Sequence, residues 1–157
     1  MEVTVQNHQK KLSLNCPQIT RNATKILQHE ELEHATLALV FVTGQKIRAL
    51  NKKYLHQSVT TDVLAFEGSG PLGNEKPGGK RPCLYGDIII STDAVLQNSR
   101  IYRTTPSYEL TLYIAHGILH LLGYDDHKKI DIQKMRAKEK EVMEFLGRGV
   151  NFLCQVQ

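Results

Sequence analysis

The chain has 157 residues, 41% hydrophobic and 23% charged, a size and balance that suit one layered domain around a single core and exclude a two-domain enzyme. No apolar run is long enough to cross a bilayer, and Met1 to Asn7 lack the basic start and apolar stretch of a signal peptide, so the expectation is a cytoplasmic protein with no membrane partner. The formal net charge is +4, and the whole surplus falls in residues 46–103, where nine basic residues face five acidic ones; a polyanion should meet that segment.

In chain order, Val3 and Val5 alternate with polar neighbours as a half-buried strand does, and Pro17 followed by Ile19, Ala23, Ile26 and Leu27 predicts an amphipathic helix. Asn22-Ala23-Thr24 matches a glycosylation sequon by chance in a cytoplasmic chain. Cys16, Cys83 and Cys154 are odd in number and far apart, which indicates neither a disulfide framework nor a cysteine zinc site. Thr36 to Val42 predicts a strand ending at Gly44, and residues 45–55 place Ile47 and Leu50 at helical spacing with lysine and arginine opposite. Asp62 to Phe66 and Leu84 to Ile90 are further strands.

Between them, residues 67–83 are rich in glycine and proline and predict a flexible loop. Gly73 to Arg81 fails as a phosphate-binding loop, because Gly79 stands where the lysine should follow Gly78 and a strand comes next. Ser91-Thr92-Asp93 caps a helix toward Tyr102. Thr105 caps the next, with Pro106 at its first position, Glu109 in its first turn and Gly123 as its stop. Residues 128–146 form a last helix, apolar at Ile132, Met135, Val142, Met143 and Leu146, and residues 148–157 a short tail. The expected architecture is α+β in layers, with a small mixed sheet of about four strands packed on about five helices.

The chemistry gathers at residues 116–127. His116 and His120 are four apart on a helix that is apolar on nearly every side, so their rings project from one face with the separation that two ligands of one metal need. Tyr124-Asp125-Asp126-His127 then returns a third imidazole and two carboxylates toward that face. Three protein nitrogens leave one position open, where water would become a nucleophile; no catalytic group beyond that water is assigned. The residue after the first histidine is Gly117, where zinc peptidases of the His-Glu-x-x-His type carry their glutamate base. Phosphodiester hydrolysis relies more on electrostatics, so attack on an RNA phosphate held by the basic middle segment is favoured over a zinc peptidase. A non-catalytic, ribosome-associated protein whose zinc only holds the last two helices together is the third reading.

His116-Gly117-Ile118-Leu119-His120-Leu121-Leu122-Gly123-Tyr124-Asp125 resembles the hallmark of the YbeY family of bacterial endoribonucleases, or rRNA maturation factors. The likeness continues in Thr61-Asp62-Val63-Leu64-Ala65-Phe66, in Gly86-Asp87-Ile88 and in Met135 with Glu139 of the final helix. It implies a zincin-like metal helix and one zinc ion per chain, or another divalent ion such as nickel. It also implies single-strand-specific cleavage of RNA, with a role in 16S ribosomal RNA 3′-end maturation and ribosome quality control beside the small ribosomal subunit or its assembly factors. By it His116 and His120 are metal ligands.

Two departures stand out. The family's third histidine directly follows Gly-Tyr-Asp, where this chain has Asp126, with His127 one residue later. Either the turn absorbs one residue and His127 ligates, which is the expectation because imidazole is the commoner ligand, or Asp126 supplies a carboxylate. The arginine that follows the helix tyrosine in the family is replaced after Tyr54 by Leu55, which shifts the implied phosphate-binding role to Lys52, Lys53 or His56.

Overall fold

A computed structural model describes residues 1–55, 61–68 and 83–157, without the side chain of Leu55. Its elements run β1 (Glu2–Asn7), β2 (Leu12–Leu14), α1 (Cys16–His29), β3 (His34–Val42), α2 (Gly44–Leu55), β4 (Val63–Glu67), β5 (Cys83–Ser91), α3 (Thr92–Ile101), α4 (Pro106–Leu121), α5 (Lys129–Leu146), a 3-10 turn (Gly147–Asn151) and β6 (Cys154–Val156). This is the expected α+β layering of a four-stranded mixed sheet with five helices. The predicted loop lies, from residue 69 to 82, outside the described residues.

The sheet order is β1-β3-β5-β4. β1, β3 and β5 are mutually parallel, and β4 runs antiparallel to β5 as an edge, with Val63 opposite Ile90 and Ala65 opposite Ile88. The inner strands β3 and β5 bury Leu37, Leu39, Phe41, Ile88 and Ile90, as parallel strands covered by helices do. Helix starts follow the caps in the sequence: Asn15 accepts from the Gln18 N–H, Ser91 from Ala94 and Thr105 from Tyr108, each satisfying an amide that the first turn leaves unpaired.

Helix α4 is the centre of the molecule and packs against the sheet, α1, α3 and α5. Its apolar residues Leu110, Ile114, Ala115, Ile118 and Leu119 are fully buried. Two glycines permit this packing. A Cβ on Gly117 would lie 2.6 Å from Ile88 Cγ2, and one on Gly86 would lie 2.9 Å from the Phe66 carbonyl oxygen, distances at which the neighbours would have to shift.

The stretch after residue 147, expected as a short tail, carries β6, which pairs antiparallel with β2. It is anchored by the buried Ser107, whose hydroxyl accepts from the Leu153 and Cys154 N–H groups and donates to the Cys154 carbonyl. Sequence periodicity cannot show this link, because its partners lie 46 and 47 residues apart. Asn22 of the sequon is wholly buried and donates to the Gly149 carbonyl, so the folded chain does not present it. Among the described residues no helix is long and apolar enough to cross a membrane.

Candidate metal centre

The i, i+4 spacing on α4 places the two imidazoles one turn apart, with ring centroids separated by 4.4 Å and planes nearly perpendicular. Gly123, at φ 99°, turns the chain after the helix in a left-handed conformation that an L side chain adopts only with strain. The turn returns Asp126 to the two rings. Nε2 of His116 and Nε2 of His120 are 2.9 Å apart, and Asp126 Oδ2 lies 3.6 Å from the first and 3.4 Å from the second.

These donors suit a small divalent ion. A tetrahedral site with bonds of about 2.0–2.1 Å has edges of roughly 3.3 Å, which the observed triangle of 2.9, 3.4 and 3.6 Å brackets. The set of two nitrogens and one oxygen is of the kind that zinc and neighbouring transition metals accept. His116, His120 and Asp126 are all partly buried. One face therefore remains open to the cleft.

His127 stands apart from this triangle. Its side chain is 85% exposed and its Nε2 lies 3.4 Å from Asp125 Oδ1, although it also lines the cleft. The carboxylate alternative is the one that the turn brings onto the imidazoles. Neither Asp125 nor Asp126 caps α5, whose cap position is Lys128 with no side-chain bond.

Glu139 has no role assignable from spacing. It projects from α5, and its Oε1 is 2.5 Å from His116 Nδ1, with only 16% of the side chain exposed. A carboxylate there can accept a hydrogen bond from Nδ1, in the tautomer that leaves Nε2 as a lone-pair donor toward the site. A signal for it exists in the sequence. Met135, Glu139, Val142 and Leu146 follow the apolar stripe of α5, so an acid occupies a position at which the pattern calls for a hydrophobic residue.

The centre opens into a cleft of about 780 Å³ between α4, α5, β4 and the end of α2. On its wall, Asp62 is held from two sides. The Ser91 N–H donates to its backbone carbonyl at 2.9 Å, and Asn98 Nδ2 donates to its Oδ2 at 3.4 Å. Asn98 also contacts the Tyr113 hydroxyl. Burial pushes the Asp62 carboxyl above its usual range, while the bonds from Asn98 and Tyr113 and the nearby His116 pull the other way. Burial, reinforced by the Asp62 charge, likewise raises the Tyr113 phenol.

Lys52 and Lys53 lie exposed in the last turn of α2. Neither lines the cleft, but the adjacent Asn51 does. The Lys53 ammonium sits 5.2 Å from the Tyr54 ring centroid. His56 falls outside the described residues.

The family model for endoribonuclease YbeY matches residues 4–147. The chain belongs to that family. An endoribonuclease YbeY of Syntrophus aciditrophicus is 30% identical over 95% of this chain and 91% of its own length, and one of Pelotomaculum thermopropionicum is 35% identical over 91% and 95%. One of Anaeromyxobacter sp. (strain Fw109-5) is 40% identical over 72% of this chain, and there the match spans only 55% of the relative. The solution structure of TM1509 from Thermotoga maritima superposes with a TM-score of 0.57 at 24% identity, covering 91% of this chain and 90% of that one, which supports the fold.

Proposed function

We propose that this YbeY-family protein is a metal-dependent endoribonuclease that cuts single-stranded RNA in the cytoplasm, acting in 16S ribosomal RNA 3′-end maturation and ribosome quality control beside the small ribosomal subunit. The observation that carries the reading is the convergence of His116, His120 and Asp126 on one point of an open cleft. In this reading those three residues hold one divalent ion, zinc or nickel. Such an ion supplies a Lewis acid that draws charge from a phosphoryl oxygen.

The chain's own residues do the rest. Glu139 keeps His116 in the tautomer that ligates. Among the described residues that line the cleft there is no lysine or arginine, and the reading assigns the hold on the RNA backbone to cations outside that lining. Lys52 and Lys53 directly follow the cleft-lining Asn51 in the chain, and their exposed side chains suit phosphates, which are met through solvent-facing charge. His56 belongs to the same proposal. Peptide hydrolysis is disfavoured, because Gly117 packs onto Ile88 and no glutamate fits there.

Metal analysis of purified protein and of His116→Ala, His120→Ala, Asp126→Ala and His127→Ala, with cleavage of unstructured RNA and of casein in parallel, tests this. The expected result is loss of metal and of RNA cleavage in the first three, with His127→Ala retaining its metal. Metal loss on His127→Ala but not on Asp126→Ala would transfer the third ligand to the histidine. Casein cleavage without RNA cleavage would overturn the ribonuclease reading. If His120→Ala leaves RNA processing in cells intact, the metal has a structural role only.

A further inference from the structure

Hydrolysis of a phosphodiester is accelerated by a group that accepts a proton from the attacking water. In His-Glu-x-x-His hydrolases the glutamate after the first ligand does this, but position 117 here faces the sheet, with room for no side chain. The acceptor must come from another element. Among the described residues, four carboxylates line the cleft: Asp62, Glu67, Asp126 and Glu139. Asp126 completes the donor triangle, Glu139 is held by His116, and Glu67 is exposed at the end of β4, while the one further imidazole in the described lining, His127, is 85% exposed and faces Asp125.

Asp62 differs from all three. It is half-buried on the cleft wall, its backbone is fixed to β5 through Ser91, and its Oδ2 is oriented by Asn98 from α3. His116 and His120 line the same cleft as Asp62, yet Asp62 is not part of the cluster of potential ligands. A carboxylate oriented by an amide, partly desolvated and beside but outside a metal centre has the setting of a general base.

We propose that Asp62 is the general base of the reaction, an inference that rests on the ribonuclease reading above. As the water oxygen bonds to phosphorus, one Asp62 oxygen takes a proton from that water. The bond from phosphorus to the departing ribose oxygen breaks with its electron pair, and the proton passes from Asp62 to that oxygen. The products are one phosphate monoester and one free hydroxyl, and the carboxylate is regenerated. Asn98 is a positioning residue, acting through Asp62.

The test uses the full chain loaded with zinc, a single-stranded RNA oligonucleotide and the activated diester bis(p-nitrophenyl) phosphate. Asp62→Asn is expected to lower kcat on both substrates by about 10²–10⁴-fold, with zinc content, zinc affinity and RNA affinity unchanged. Asn98→Ala should lower kcat by about tenfold, the scale of losing an orienting partner. Asp62→Asn as fast as the wild type overturns the proposal alone, and so does zinc or RNA affinity falling in step with kcat. Full recovery to the wild-type rate on the activated diester also overturns it, because that leaving group dispenses with the delivered proton but not with the base. If Asp62→Asn does not fold, an undiminished rate in Asn98→Ala overturns it instead. A zinc-loaded wild type that cuts neither substrate sinks the ribonuclease reading, and this proposal with it.

Discussion

Replacing Glu139 with alanine tests the tertiary contact that orients one of the two histidines of the candidate metal centre. The wild-type carboxylate accepts from His116 Nδ1 at 2.5 Å, with 16% of the glutamate and 25% of the histidine side chain exposed. Loss of such a partner lowers metal affinity by about 10–100-fold, or about 1.4–2.7 kcal/mol. Both groups are largely withdrawn from solvent, so water replaces the lost acceptor poorly and the effect should lie toward the upper end. Glu139→Gln retains a neutral acceptor and should lose about tenfold or less, because hydrogen bonds to an ionised partner are roughly twice as strong. Competition for zinc against a chromophoric chelator at neutral pH measures all three affinities. If Glu139→Ala binds zinc as tightly as the wild type while His116→Ala does not bind it, the carboxylate is only a packing group and its orienting role is refuted.

Gly117→Ala should destabilise the fold by about 1–3 kcal/mol, the usual result of overpacking, because its Cβ would enter the space of Ile88; an unchanged melting temperature would contradict the close approach of α4 to the sheet. Ser107→Ala leaves the buried Leu153 and part-buried Cys154 N–H groups without their acceptor, a loss of about 1–3 kcal/mol, and hydrogen exchange at those two amides should accelerate more than in β3. For Asp62, which faces Asn98, Tyr113 and His116, burial raises the folded-state pKa above the ordinary value. The folded protein then binds more protons than the unfolded chain between those two values, so this group's contribution falls as pH rises through that window. Asp62→Asn should therefore melt at or above the wild-type temperature at neutral pH and show a flatter acid-side stability profile; a lower melting temperature at neutral pH would contradict this assignment.

Much of the molecule was legible without its fold. Strand alternation at Val3 and Val5, the branched run Thr36 to Val42, the caps Ser91 and Thr105 and the stop at Gly123 depend on neighbours within a few residues, and each matches an observed element. The His116 and His120 pair is of the same kind, because helical geometry alone puts positions four apart on one face. The third donor was not of that kind. Asp126 and His127 are adjacent, and the path of the turn after Gly123 decides which of them meets the imidazoles. Glu139 is 23 residues from His116, and Asp62 is 36 from Asn98. No local rule relates them; the packing of α5 and β4 on α4 and α3 does. Local backbone preference settled the elements and the juxtaposition of the two histidines, whereas the orientation of the candidate site depends on groups that only the packed core brings within a hydrogen bond of one another.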